Sequence, residues 1–218
     1  MTQLIAALAA FVGTHLLLSH PLRAPLAGRV GERGFLLLYS AVAFATLFWV
    51  VHAFRVAPYG APLWFAPEWL WAVSTALMLL AAILFVGSFI RNPALPGVTG
   101  ALPTPSGVFR ITRHPMMWSF ALWALAHALV SPRPPVLALT GGIALLALWG
   151  AALQDGKKAG VHGERWQPWA VGTSFVPFAR GAAWPGTLVV LGGIVLWLGA
   201  THAHPHLGAP VTGIWRWL

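Results

Sequence analysis

The sequence contains no cysteine, only four acidic residues, and a charged fraction of 8%. Without cysteine there is no disulfide framework, no thiolate metal site and no cysteine nucleophile, so any metal ligand has to be His, Met, Tyr or a carboxylate. A soluble domain devotes about a quarter of its residues to charge. This chain has roughly a third of that share, too little for a water-facing surface, and a separate soluble domain is excluded. A phosphate-binding loop, a metalloprotease helix and a nucleophile elbow are also absent. Thirteen Lys and Arg give a formal charge of +9, yet the cations are scattered arginines in short loops rather than one clustered face, which argues against a nucleic-acid partner.

What is abundant is apolar: 58% of the 218 residues are hydrophobic and the mean hydropathy is +0.76. A membrane-crossing helix takes about 20 apolar residues. Stretches at 4–18, 35–53, 69–90, 116–130, 136–153 and 187–200 qualify, each bounded by Arg, Pro or Gly. They predict an all-α, polytopic transmembrane helix bundle of about six spans, with 1–218 forming a single integral membrane domain in a lipid bilayer. The first stretch lacks a positive flank and a small-residue cleavage site, so it is expected to stay as a helix. The segments after spans one, three and five carry ten of the cations, and the other side carries Arg55, Arg133 and Arg216. By the positive-inside rule this predicts both termini outside and loops 20–34, 91–115 and 154–185 in the cytoplasm. Trp64, Trp69, Trp71, Trp184, Trp215 and Trp217 suit the interfacial belt. Small residues at Ala6/Ala10, Ala9/Gly13 and Gly192/Gly193 suit close helix approach.

Polar groups inside lipid are costly and usually face the bundle interior. His15 falls inside span one, His127 late in span four, His52 near the outer end of span two, and His20 and His114 at cytoplasmic ends. Each satisfies either a packing role or a ligand role. His114 and His127 are separated by about 20 Å along one helix and point to nearly opposite sides, so they cannot share one metal. One imidazole from span one and one from span four remain able to meet, although His127 lies about 8–10 Å deeper than His15. Glu32 and Arg33 beside Arg29 suit a loop clamp or an anion site. The fifth loop holds Asp155, Lys157, Lys158, His162, Glu164 and Arg165 near Trp166 and Trp169, suiting an amphipathic surface helix or a headgroup or nucleotide-like site. The tail His202, His204 and His206 reads as solvated, or as a divalent-metal chelator if extended.

Several stretches together resemble the NnrU family of bacterial inner-membrane proteins: Gly13-Thr14-His15 to Ser19-His20-Pro21, Gly31-Glu32-Arg33-Gly34-Phe35, Gly107 to Pro115 running on to Ala126-His127, and His162-Gly163-Glu164-Arg165-Trp166. The resemblance implies the bacterial cytoplasmic membrane and a link to nitrite and nitric oxide metabolism in denitrification. It also implies respiratory membrane enzymes as partners. The family is similar to the plastid 15-cis-zeta-carotene isomerase. That likeness implies a b-type haem and redox-controlled isomerisation of a hydrophobic substrate, with His15 and His127 as axial ligands of the iron and Ala124 where a cysteine could otherwise serve. Arg113-His114-Pro115 and Glu164 also resemble the isoprenylcysteine and phospholipid methyltransferases. That implies an S-adenosylmethionine site at Arg113, His114 and Glu164. As supporting cofactor-binding positions beside His15 and His127, the expectation is Arg113, His114, Glu32, Arg33 and Glu164. Three readings result: a haem b protein acting on a hydrophobic molecule or nitric oxide, a membrane methyltransferase, and a non-catalytic assembly or transport factor.

Overall fold

The computed structural model describes residues 1–92, 102 and 104–218. Seven α-helices and no strand occur among them: α1 Thr2–Ser19, α2 Arg23–Val56, α3 Glu68–Gly87, α4 Pro115–Val130, α5 Pro134–His162, α6 Trp166–Gly172 and α7 Thr187–Ala203. By length and composition α1, α2, α3 and the α5–α6 run are long and apolar enough to cross a membrane. The two shorter apolar helices, α4 with 16 residues and α7 with 17, pack among them. At 1.5 Å per residue α4 rises about 24 Å, short of a hydrocarbon core of about 30 Å. It opens on Pro115 directly after Arg113-His114, so polar groups begin where the helix does.

The six bundle helices, α1 to α5 and α7, alternate in direction. One end of the bundle gathers loop 57–67, the turn 131–133 and the C-terminal segment: Leu63 N–H donates to Pro132 O at 2.9 Å, Trp64 Nε1 to Leu129 O at 2.9 Å, and Arg133 to Gly60 O. The opposite end gathers the α1–α2 turn, the start of α4 and the end of α5, and carries most of the cations. We call these the tail end and the basic end.

Two apolar clusters hold the bundle. Leu4, Ala7, Leu8, Phe11 and Val12 of α1 pack on Val50 and Ala53 of α2, with Leu139, Ile143 and Leu146 of α5 against them. Leu84, Val108, Phe109, Ile111, Trp166, Trp169 and Val189 join α3, α6, α7 and the 107–111 turn. Phe44 and Phe48, one helical turn apart on α2, are 71% and 75% exposed, which marks a lipid-facing stripe. α3 and α7 approach closely because Gly193 has no side chain: a Cβ there would sit 2.8 Å from the Ile83 backbone. Gly13, in contrast, meets nothing within 4 Å, so the Ala9/Gly13 pair is no contact surface.

The loop boundaries need correction. Within 20–34, residues 23–30 are helical, and α2 breaks only at Gly31, whose φ of 74° suits glycine alone without strain. Within 154–185, α5 continues to His162 and α6 follows at 166–172. Ala, Gln and Lys keep these polar stretches helical beyond the apolar window. The third expected loop, 91–115, falls partly outside the described residues.

Candidate functional site

At the basic end the sequence Arg113-His114-Pro115 forms a closed polar clamp. Arg113 Nε and Nη2 donate to the Asp155 carboxylate at 2.8 and 2.6 Å, and His114 Nε2 lies 2.8 Å from Asp155 Oδ1. His114 Nδ1 faces Gln154 Oε1 at 3.3 Å, and its imidazole, with only 2% of the side chain exposed, packs edge-on against Phe175. Arg113 N–H also donates to Ser174 O at 2.8 Å. These bonds fasten the start of α4 to α5 and to the 173–178 turn, and no buried side-chain nitrogen or oxygen of the clamp is left without a partner. Glu164 stands exposed in the short turn after α5, and no contact among the described residues brings it to Arg113 or His114. Glu32 pairs with Arg23 at 3.0 Å, nine residues back, and not with the adjacent Arg29 or Arg33. Arg33 is exposed. Trp166 and Trp169 are buried in the core and offer no stacking surface to a ligand.

His15 and His127 occupy different neighbourhoods. His15, four residues before the end of α1, donates from Nδ1 to Phe11 O at 2.7 Å and packs against the rings of Phe11 and Tyr39. His127, three residues before the end of α4, donates from Nδ1 to Trp123 O at 2.8 Å and lies against Trp123 and His204. Because α1 ends and α4 begins at the basic end, the two histidines are offset by about 12 Å along the bundle. His52 is exposed on α2. His20, in the α1–α2 turn, has its pKa lowered, first by partial burial and then by the charge of Lys157.

His127 does have a site around it. A cavity of about 640 Å³ runs between α3, α4, α5 and α7 at the tail end, within the range of about 300–1,000 Å³ typical of small-molecule and cofactor sites. Its walls are mainly apolar, with Trp71, Phe85, Trp123 and Trp197 prominent, and the segment Leu207–Gly213 lines it at the tail end. That segment is strapped down by Trp215 Nε1, which donates to Thr201 Oγ1 at 3.0 Å, and by the Arg216–Glu68 pair at 2.6 Å. The bond to Glu68 raises the Arg216 pKa.

Three residues that line the cavity each carry a buried polar atom with no hydrogen-bond partner among the described residues: Thr75 Oγ1, Trp197 Nε1 and His204 Nδ1. A buried donor or acceptor left unpaired costs roughly 1–3 kcal/mol, and these three atoms, covered even from the cavity, are a local cost of the packing around it. A carbonyl only accepts, so the bond from His127 Nδ1 fixes the proton there and leaves the lone pair on Nε2. This is the neutral tautomer that ligates metals, held by an anchoring bond on the other nitrogen.

Sequence reasoning singled out His127 as a candidate ligand and placed His204 in a solvated tail. With Pro205 following and no carboxylate nearby, the tail reads as solvated, whereas the chain folds back through a short turn at Pro205–Leu207 and sets the His204 ring 6.0 Å from that of His127. The described residues contain no group of three or more His, Cys, Asp or Glu able to hold a bare metal ion.

Fold and cavity together define a polytopic helical membrane protein with a ligand-sized chamber inside the bundle. The NnrU protein family matches residues 3–211, nearly the full length, and the chain belongs to that family. No curated protein and no solved structure matches it.

Proposed function

We propose that this NnrU family member binds a hydrophobic cofactor or substrate in the tail-end cavity, with His127 as its polar anchor. Haem b is the occupant to which the family resemblance points. The observation that carries the reading is the cavity of about 640 Å³ lined by His127 and His204 among tryptophan and phenylalanine side chains.

The residues present fit a haem through His127. Its tautomer is fixed, Nε2 has no partner among the described residues, and the surrounding tryptophans and phenylalanines supply flat apolar walls. His15 has the same tautomer but lines no part of this cavity, so the site is assigned through His127 without it. A b-type haem held there supplies an iron that exchanges one electron and takes small ligands such as nitric oxide, in keeping with a denitrification link or with redox isomerisation of a hydrophobic molecule.

The chain's own contribution is positional. The Trp123 carbonyl holds the His127 ring, the low-polarity wall raises the strength of every polar contact made inside, and the strapped C-terminal segment supplies one side of the cavity.

The test is an absorption spectrum and pyridine haemochrome assay on detergent-purified protein from cells supplied with a haem precursor. A b-type spectrum at near-stoichiometric haem, lost in His127→Ala and kept in His52→Ala, is expected. A colourless wild-type protein under the same conditions contradicts the haem assignment. Mass spectrometry of an organic extract of that protein then reads whether another apolar molecule occupies the chamber.

A further inference from the structure

Among the described residues that line the tail-end cavity, His127 and His204 are the two imidazoles. They come from different helices, His127 from the last turn of α4 and His204 from the residue that ends α7. Pro205 has no N–H with which to carry α7 on, and the chain turns back there, with the N–H groups of Leu207 and Ala209 both donating to His204 O at 3.0 Å. One turn before His204, Thr201 Oγ1 accepts from Trp215 Nε1 at 3.0 Å. The backbone that carries the ring is therefore fixed from both sides.

Both rings offer the same atom. His204 Nδ1 is covered by protein, whereas its Nε2 is neither covered nor bonded. In His127 the bond from Nδ1 to Trp123 O likewise leaves Nε2 uncovered and unbonded. The ring centres are 6.0 Å apart, with planes at 85°. Metal–imidazole bonds of about 2 Å set two imidazoles on opposite sides of one ion about 6 Å apart, centre to centre. Turning either ring about the line through the ion leaves that separation unchanged, so crossed planes suit such a pair.

The number of ligands points the same way. A bare metal ion asks for three or four protein ligands, and the described residues hold no such group of three. A haem brings four ring nitrogens of its own and takes axial ligands from the protein. His15 lines no part of this cavity and is offset from His127 by about 12 Å along the bundle.

We infer that His204 is the second axial ligand of the haem site, opposite His127, in the position that the resemblance gave to His15. This rests on the haem reading of the cavity.

The experiment is electron paramagnetic resonance and visible absorption on the purified ferric holoprotein in detergent. Wild type is expected to be six-coordinate and low-spin. His204→Ala keeps its haem through His127 but shifts to a high-spin spectrum, and added imidazole restores the low-spin one. His204→Phe preserves the ring volume and gives the same high-spin shift, which keeps the test available if the alanine variant does not fold. His15→Ala stays low-spin. So do Met78→Leu and Tyr59→Phe, which alter the other lining side chains of a type that ligates haem iron. A wild-type spectrum in both His204 variants, or a high-spin shift in His15→Ala, with haem still dependent on His127, overturns the inference and leaves the cavity reading standing. A colourless wild type, or haem kept at full strength in His127→Ala, overturns both.

Discussion

Single residues at the basic end carry stability. Asp155 accepts from Arg113 and faces His114 within a largely buried clamp. Removing one partner of a buried pair leaves an uncompensated charge and costs about 3–5 kcal/mol. Asp155→Asn is accordingly expected to lower the thermal midpoint in detergent far more than Glu32→Gln. The latter touches only an exposed pair, worth at most about 1 kcal/mol. The pH response has a definite sign at His20. Its pKa lies below the ordinary value near 6.5, through partial burial and the Lys157 charge. The unfolded chain therefore binds more protons at mildly acid pH, so the stability linked to His20 is fully present above about pH 6.5 and is lost as pH falls through the lowered pKa. A thermal midpoint that drops below pH 6.5 in wild type, and drops less in His20→Gln, is the expected result.

At the scale of elements, close helix approach separates glycines that matter from glycines that do not. A methyl at Gly193 meets the Ile83 backbone at 2.8 Å, while one at Gly13 meets nothing. Gly193→Ala should cost about 1–3 kcal/mol by forcing α3 and α7 apart, and Gly13→Ala should stay within about 0.5 kcal/mol of wild type, both read from melting curves at matched detergent concentration. The six apolar helices, four long and two shorter, were legible in the sequence because lipid demands uninterrupted apolar runs, and composition alone reports those. The helical stretch before Gly31 and the extension of α5 to His162 were not legible. They lie in polar sequence whose helicity comes from backbone propensity and from anchoring contacts such as Lys157 to Ser19, to which hydropathy is blind. Pairing across the clamp was equally hidden, since Arg113 and Asp155 are 42 positions apart.

At the scale of the whole molecule, the two ends do different work. The basic end is closed by ion pairs and presents surplus positive charge. The tail end holds an apolar cavity beside a segment folded back on the bundle. His127 was legible as a costly histidine in a span. His204 was not, because its position depends on the return of the C-terminal segment through Gly208 and Gly213, both at positive φ, and on the bond from Trp215 to Thr201. A side chain at Gly213 would lie within 3 Å of Thr201. Gly213→Val is therefore expected to loosen that segment and speed ligand release in stopped-flow traces, with the basic-end clamp unaffected.

The most direct measurement is an equilibrium titration of the purified, haem-free chain with ferric haem, followed at the Soret band for wild type, His127→Ala and His52→Ala. A saturable one-to-one transition in wild type and His52→Ala, absent from His127→Ala, is the result expected if the tail-end cavity is the binding site. Saturable binding of equal strength in His127→Ala would contradict it.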